Sequence, residues 1–317
     1  MCWMMAMVVR NMNDMMHFDS NGMFKLMQLT DIHYTDGGAA DKRTVALMRE
    51  LIAAEAPDMI IVTGDTVCGP DVYRHLADAL APVTEAGVPF GWVFGNHDVE
   101  ESGTRPGLFE RVCELPGCLA RHEADSVDGV GNCCVRLVNA DGATEWLLFC
   151  LDSGDYVKLP GIEGYGYVTR AQIDWYVRCI RRQAQQSEQF AALAFMHILL
   201  PEHDEVWHSD ICYGVRREAV CCPPVNSGLF TAMLEAGHTR GVFVGHDHVN
   251  DYWGLHHGIA LGYGRATGFN TYGAQDYLRG CRIFKFQQGN TDSFETYVRL
   301  EHGIVVDEPW VQHPDGR

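Results

Sequence analysis

The amino-acid sequence predicts an α/β fold in which helices flank a mixed β-sheet or a pair of sheets. Short apolar runs alternate with segments of helical spacing between residues 24 and 94, which is the pattern of βαβ units. Residues 252–300 read instead as short antiparallel strands broken by glycines. No internal repeat, linker or low-complexity tract divides the chain, so we expect one domain over residues 23–317.

The first half of this domain is predicted to contain three buried strands with two helices between them. The strands are expected at residues 24–29, 58–63 and 90–94. The helices are expected at residues 42–55 and 71–84. Short apolar runs indicate the strands, and apolar side chains at helical spacing, such as Val45, Met48 and Leu51, indicate the first helix. Pro57 and Pro89 stand at the entries to the second and third strands, where a helix does not continue.

The second half of the domain is predicted to continue this alternation. Further strands are expected at residues 133–138, 146–151, 191–196 and 241–244. One helix should begin after Thr169, a suitable N-cap, because Trp175, Val177 and Ile180 follow it on a helical pattern. Another helix is expected near residues 226–236.

Residues 1–22 differ from the rest of the chain because they hold seven methionines with no clear period. We interpret this segment as a leader, either mobile or upstream of a natural start at Met23, and prefer the second interpretation. Chain termini are often dispensable when they are not tied down. We therefore expect that removal of residues 1–22 leaves folding and activity nearly unchanged.

The charge balance excludes some classes of function. Lys and Arg total 24 against 42 Asp and Glu, which gives a formal net charge of −18, whereas a nucleic-acid-binding surface is basic. We therefore expect no nucleic-acid partner. No apolar run approaches the roughly 20 residues that cross a bilayer, so no membrane association is expected. An acidic chain repels a phosphate substrate unless its site carries local positive charge, which bound metal ions would supply.

The cysteine pattern bears on the cellular compartment. The 12 cysteines form no regular framework, although adjacent pairs occur at Cys133-Cys134 and Cys221-Cys222. The first residues do not show the basic start, apolar stretch and cleavage site of a signal peptide in order. We therefore expect reduced, mostly buried cysteines and a cytoplasmic protein.

Five short polar motifs stand where predicted apolar strands end. They are Asp31-Ile32-His33, Gly64-Asp65, Gly95-Asn96-His97-Asp98, His197 and Gly245-His246-Asp247-His248. On an extended segment residues i and i+2 point the same way, so Asp31 and His33 could present an oxygen and a nitrogen to one ion. His246 and His248 have the same spacing.

Each motif alone is a weak signal, because a Gly-Asp pair is usually a turn and a lone histidine such as His197 is usually a satisfied polar residue. The joint pattern is much more specific. Open α/β sheets place their ligand sites at the ends of strands. His, Asp and Asn are also ligand types that suit borderline transition metals. The sequence therefore predicts a metal centre built from these strand ends.

The order of these five motifs resembles the calcineurin-like metallophosphoesterase superfamily over about residues 24–300. The segments at residues 197–202, 225–228 and 245–251 are similar to a single-domain branch related to purple acid phosphatases. The resemblance implies two packed mixed β-sheets flanked by helices, a four-layer αββα sandwich. It also implies that residues 23–317 form the metallophosphoesterase catalytic domain.

The resemblance further implies two transition-metal ions, divalent or of mixed valence, with Mn, Fe or Zn most suitable. The ligands implied for the first ion are Asp31, His33, Asp65 and His248. The ligands implied for the second ion are Asp65, Asn96, His197 and His246. A hydroxide bridging the ions would attack phosphorus. His97, which is not a ligand in the family, would stabilise the transition state and protonate the leaving oxygen.

The sequence departs from the family pattern three residues after the bridging carboxylate, where Cys68 stands. Protein phosphatases of the family have there an aspartate that orients the catalytic histidine, so Asp98 or Asp71 is the candidate partner of His97. Purple acid phosphatases have a tyrosine ligand there, so no purple colour is expected. Arg265 could reach a substrate phosphate, although a surface salt bridge is an equal alternative.

The resemblance implies hydrolysis of small-molecule phosphoesters, with monoesters as the leading class. A phosphodiesterase acting on cyclic nucleotides or glycerophosphodiesters could use the same metal centre. A non-catalytic metal-binding scaffold is the third hypothesis, and it is disfavoured because all seven ligand positions and His97 are present. The sequence identifies no protein partner.

Overall fold

The computed structural model describes residues 15–121 and 127–314. In chain order the strands are β1 (Met15–His17), β2 (Met23–Leu29), β3 (Met59–Thr63), β4 (Phe90–Val93), β5 (Cys133–Val138), β6 (Thr144–Cys150), β7 (Ala191–Phe195), β8 (Cys212–Tyr213), β9 (Thr239–Val244), β10 (Trp253–His256), β11 (Ile259–Tyr263), β12 (Gly280–Gln287), β13 (Glu295–Leu300), β14 (Val305–Val306) and β15 (Val311–Gln312). The helices are α1 (Ala39–Glu55), α2 (Val72–Ala86), α3 (Arg105–Cys113), α4 (Arg170–Ala184), α5 (Glu202–Ser209) and α6 (Leu229–Ala236), with a 3₁₀ turn at Glu301–Gly303.

The strands form two mixed sheets. The six-stranded sheet has the order β14-β13-β12-β2-β3-β4, and the nine-stranded sheet has the order β1-β5-β6-β7-β9-β11-β10-β8-β15. In the first sheet β2, β3 and β4 are parallel, and in the second β6, β7, β9 and β11 are parallel. Parallel strands direct their carboxyl ends to the same edge, so each sheet gathers several strand ends in one place.

The layers follow from the alternation of apolar side chains along the strands. Phe24 and Leu26 of β2 pack between the two sheets, whereas Met27 and Leu29 of the same strand pack against the helices. The apolar clusters therefore lie between the sheets and on both of their outer faces, with α1, α2 and α3 covering one sheet and α4, α5 and α6 the other. This is the predicted arrangement of two packed mixed sheets flanked by helices.

Several elements differ from the sequence-based expectations. The helices α3 and α5 were not expected, because Pro106 and Gly107 stand at the start of α3 and α5 is mostly polar. The strands within residues 252–300 are not all antiparallel as expected, because β11 pairs in parallel with β9. The helix α4 begins after Thr169 as predicted, where the Gln172 side chain accepts a hydrogen bond from the Thr169 N–H. None of the helices in the described ranges combines the length and apolar character that crossing a membrane requires.

The structure differs from the expected leader in residues 15–22. The strand β1 pairs in parallel with β5, with Met16 opposite Leu137. The Phe18 ring meets the ring of Phe24 edge to face, with centroids 6.5 Å apart. The boundary expected after residue 22 therefore cuts through ordered structure, while the expectation for residues 1–14 lies outside the described residues.

Deletion of residues 1–17 should destabilise the fold relative to deletion of residues 1–14. The longer deletion removes β1 and with it the ladder to β5, so we expect a difference of about 1–2 kcal/mol in the free energy of unfolding. Urea unfolding of both truncated proteins measures this difference. Equal midpoints and slopes would show that β1 adds nothing to stability.

Candidate metal centre

The turns after β2, β3 and β9 carry residues with an unusual backbone conformation. Asp31, His33, Asp65 and His246 have φ angles of 52°, 49°, 48° and 76°. L-residues rarely adopt this left-handed region, at a cost of roughly 1–3 kcal/mol for each strained residue. Such strain persists only where the surroundings hold it, and it is typical of functional sites. It aims four of the predicted ligand side chains inward.

Glycine is required at two points of these turns. Gly64 has a φ of 84°, and a Cβ at this position would lie 2.6 Å from Nδ1 of His197. A Cβ at Gly95 would lie 2.0 Å from Oδ1 of Asp65. Both contacts are far shorter than real Cβ atoms show, so any side chain would push these loops apart. The two glycines therefore allow the ends of β3, β4 and β7 to meet.

The seven predicted ligand residues form two groups that share Asp65. Ligand atoms of Asp31, His33, Asp65 and His248 all lie within 4.8 Å of one another. Those of Asp65, His197 and His246 form a second such group. Asn96 belongs with the second group, since its Oδ1 lies 3.2 Å from Nε2 of His197. All seven residues are buried.

Asp65 contacts histidines of both groups. Its Oδ2 lies 3.3 Å from Nε2 of His33 and 3.2 Å from Nε2 of His197. Burial opposes a charged His33, but the carboxylate of Asp65 outweighs burial and raises the pKa of His33 to about 10. The pKa of His197 rises to about 9 against burial for the same reason. Burial, with the nearby His197, lowers the pKa of His246 to about 3. Positive charge is thus stabilised beside Asp65.

Several ligand atoms form no hydrogen bond among the described residues, although Asp65 Oδ2 and His33 Nε2 face each other as an ion pair. These atoms are Asp31 Oδ2, Asp65 Oδ2, His33 Nε2 and His246 Nε2. A buried polar atom without a partner costs about 1–3 kcal/mol, and a buried charge costs more. Carboxylate oxygens and imidazole nitrogens that converge in this way fit Mn, Fe or Zn ions. The residues present therefore fit two transition-metal ions.

A second set of contacts orients the ligands. Nδ1 of His197 lies 2.8 Å from the carbonyl oxygen of Thr63, to which it donates, so Nε2 is left to face the ligand group. The backbone N–H of His246 donates to Oδ1 of Asp31. The backbone oxygen of His248 accepts a hydrogen bond from Arg279. These contacts fix the side-chain and loop positions that metal binding needs.

Asp98 organises the loops rather than the side chain of His97. Its side chain accepts four backbone hydrogen bonds, from the N–H groups of Gly95, Asp65, Thr66 and Val67. Burial, and then the charge of Asp65, raise the pKa of this fully buried carboxyl. Both oxygens are thus committed to the backbone after β3 and β4, and the expectation that Asp98 orients His97 is wrong.

The partner of His97 is Glu100, three residues further along the chain. Oε2 of Glu100 makes a short contact with Nδ1 of His97, and Oε1 accepts a hydrogen bond from the hydroxyl of Tyr156 at 2.7 Å. The other candidate, Asp71, is an exposed residue at the start of α2. The backbone N–H of His97 donates to Oδ1 of Asp65. The sequence offered only one signal for Glu100, its position three residues after His97. Because this segment is a loop, that spacing does not predict which side chains lie side by side.

The first ligand group opens into a cavity of about 340 Å³, which its members His33 and His248 line. The residues that line it include His33, Cys68, His97, Glu100, Glu101, His248 and Tyr272. The ring of Tyr272 lies 4.2 Å from that of His248, and the ring of Tyr165 meets that of His246 edge to face at 4.3 Å. Cys68 lines the mouth and belongs to neither ligand group in the described part of the chain.

Arg265 lies outside this cavity. Its Nη1 donates to Oδ2 of Asp251 at 2.6 Å, and its guanidinium lies 3.3 Å from the centre of the Tyr277 ring. Only 5% of the residue is exposed. Both expectations for Arg265, contact with a substrate phosphate and a surface salt bridge, are therefore replaced by a buried ion pair.

Comparison with known proteins identifies the class that this fold and site define. The family described as calcineurin-like phosphoesterase matches residues 24–250. The chain therefore belongs to the calcineurin-like phosphoesterase family and is, by class, a phosphoester hydrolase.

Its relatives resemble purple acid phosphatases. The chain is 32% identical to "Probable inactive purple acid phosphatase 14" of Arabidopsis thaliana, over 92% of this chain and 84% of that protein. A dimetal phosphatase structure from Danio rerio matches with a TM-score of 0.57 and 13% identity, over 86% of this chain and 98% of that one. A purple acid phosphatase from yellow lupin seeds matches with a TM-score of 0.56 and 12% identity. The match covers 93% of this chain and 54% of that one. At these identities the two structures support the fold alone.

Replacement of Asp98 by alanine should unfold the loops that carry the ligands. Four backbone N–H groups would lose a charged acceptor, so we expect the free energy of unfolding to fall by about 3–4 kcal/mol. Asp98→Asn keeps one acceptor oxygen and should lose about half as much. Asp71→Ala, at an exposed site, should change stability by less than about 0.5 kcal/mol. Denaturant unfolding of the three variants measures these values, and an Asp98→Ala protein as stable as Asp71→Ala would contradict the assignment.

Proposed function

We propose that this chain is a binuclear metal-dependent phosphomonoesterase. The observation that carries the proposal is the pair of ligand groups sharing Asp65, with the non-ligand His97 lining the same cavity as His33 and His248. When bound, two transition-metal ions supply the Lewis acidity that activates water and neutralises the phosphoryl oxygens. Asp31, His33, Asp65 and His248 would hold one ion. Asp65, Asn96, His197 and His246 would hold the other.

Charge at the cavity supports a need for metal ions. No lysine or arginine is among the described residues that line it, while Glu100 and Glu101 are. A phosphate dianion would be repelled by these carboxylates and by the net charge of −18. Cations held by the ligand groups would reverse the local potential and make phosphate binding favourable. The substrate would therefore bind through its phosphoryl group, with its alcohol part towards the open mouth.

His97 is suited to proton transfer at the leaving oxygen. Its Nδ1 is engaged by Glu100, which leaves Nε2 as the nitrogen available to the substrate. Its N–H bond to Asp65 fixes the backbone of His97 close to the shared ligand. A histidine held by a carboxylate in this way keeps one orientation and is stabilised when protonated. Glu100 would be the positioning residue of this pair, and Tyr156 would hold Glu100.

Two other functions are distinguishable from this one. A phosphodiesterase would hydrolyse bis(p-nitrophenyl) phosphate faster than p-nitrophenyl phosphate, which a monoesterase would prefer. The word "inactive" in the name of the Arabidopsis thaliana relative raises the scaffold hypothesis, which a lack of turnover with added Mn, Fe and Zn would support.

We also propose a cytoplasmic location, which the absence of disulfides among the described cysteines favours.

Replacement of His97 by alanine should lower the rate without releasing metal. We expect the purified wild-type chain to carry close to two metal ions, and His97→Ala to keep them while kcat falls roughly 10²–10⁴-fold. The loss should be smaller for p-nitrophenyl phosphate than for an alkyl phosphate, because p-nitrophenolate leaves without protonation. His246→Ala should lose metal as well as rate. Elemental analysis and steady-state rates on both substrates provide the test, and full activity of His97→Ala on the alkyl ester would refute this role.

Replacement of Glu100 by glutamine should reproduce part of the fall in kcat that is expected for His97→Ala. The amide keeps the size of the side chain but removes the charge that stabilises protonated His97, so kcat on an alkyl phosphate should fall roughly 10- to 100-fold. The rate on p-nitrophenyl phosphate, KM and metal content should change little. Glu101→Gln removes a neighbouring charge at the same mouth and is the matched control. Equal effects of the two variants would mean that Glu100 acts only through the local field.

A further inference from the structure

A second cavity, of about 140 Å³, lies where the edges of the two sheets meet. None of the seven ligand residues lines it, and neither does His97. The lining residues that matter are Arg217, Asp251, Arg265, Tyr277, Arg282 and Trp310. We call this the arginine cavity. A cavity of about 150 Å³ holds a single benzene ring. The arginine cavity is of similar size and is open to solvent at the exposed Trp310, so a slightly larger ligand can extend in that direction.

Positive charge is in excess around the arginine cavity. Arg265 and Arg282 are 5% and 2% exposed, and Arg217 lies at the exposed rim. The one carboxylate among the described lining residues is Asp251, which Arg265 engages. Arg282 instead donates to backbone oxygens of Tyr263 and Asp251 and to a threonine hydroxyl. Buried cations without counter-ions are costly, so an anion in the cavity would stabilise them.

The hydroxyl of Tyr277 also lacks a partner. The residue is 6% exposed, lines the arginine cavity, and its buried oxygen has no hydrogen bond among the described residues. Burial raises the pKa of Tyr277, so the hydroxyl keeps its proton and is a donor. A buried donor beside guanidinium groups calls for an acceptor that carries negative charge.

The rest of the wall is apolar or aromatic. Val215, Trp253, Val298, Pro309 and Trp310 contribute to it. An inorganic ion would leave these surfaces unused, whereas a ligand with a compact apolar body would contact them.

We propose that the arginine cavity binds a small organic anion, whose carboxylate or phosphoryl oxygens meet Arg265, Arg282 and the Tyr277 hydroxyl and whose apolar body meets the aromatic wall. The site is separate from the proposed catalytic centre but linked to it. Asp251 follows His248 by three residues and is held by both buried arginines. An occupied cavity would therefore brace the loop that carries the ligands His246 and His248.

Benzoate and phenylphosphonate are suitable probes because each combines one ring with one oxyanion and neither is a phosphoester. We expect the metal-loaded protein to bind at least one of them in isothermal titration calorimetry, and to bind neutral benzamide at least tenfold more weakly. The stronger of the two probes identifies the carboxylate or the phosphoryl class. No binding of either probe at millimolar concentration, or equal binding of benzamide, would overturn the proposal.

Two phenylalanine variants decide whether the probe occupies this cavity. Tyr277→Phe removes only the unpartnered hydroxyl and should weaken binding roughly tenfold, the scale of a hydrogen bond to a charged group. Tyr272→Phe makes the same change at the mouth of the metal centre and should leave the affinity unchanged. If Tyr272→Phe weakened binding and Tyr277→Phe did not, the probe would be at the metal centre and the proposal would be wrong. Because no turnover is measured, failure here is distinct from failure of the proposed phosphatase activity.

Discussion

The buried carboxylate of Asp65 is the interaction on which the site depends. It stands at the end of β3 and contacts imidazoles of both ligand groups, from His33 on one side and His197 on the other. The approach of β4 to this carboxylate requires a glycine at position 95. Asp98 then holds the backbone around it through four N–H groups. The centre can therefore concentrate ligands from five strand ends only because these loops are locked around one charged group.

The electrostatics of the molecule are consistent with that arrangement. A chain with a formal net charge of −18 does not attract phosphate by itself. The ligand groups stabilise positive charge so strongly that the pKa of His33 rises to about 10 in spite of burial. The pKa of His197 also rises, to about 9, so metal ions would compete with protons for His33 and His197. The ligand groups and the buried arginines are separate centres of positive charge. The arginines line a different cavity from the one that Glu100 and Glu101 line.

The metal ligands and the residues that orient them were not equally predictable. The ligand candidates each follow a strand, and strand ends are visible as short apolar runs in the sequence. The partner of His97 could not be predicted from the sequence, because nothing in the sequence favoured Glu100 over the neighbouring carboxylate of Asp98. Asp98 is instead surrounded by backbone N–H groups from the end of β3, some 30 residues away in the chain. Arg265 was misread for a similar reason, since its partner Asp251 becomes close only when β10 and β11 pair.

The sequence by itself determined the layered α/β architecture and the candidate ligands. Both depend on local patterns: alternating apolar side chains select the buried faces of strands, and polar residues with glycines mark the loops at their ends. The tertiary structure alone decided that β1 belongs to the nine-stranded sheet, that Glu100 pairs with His97, and that the arginines surround a separate cavity. Those features depend on contacts between residues distant in the chain, or on loop geometry that no periodic pattern describes, so local sequence reasoning could not find them.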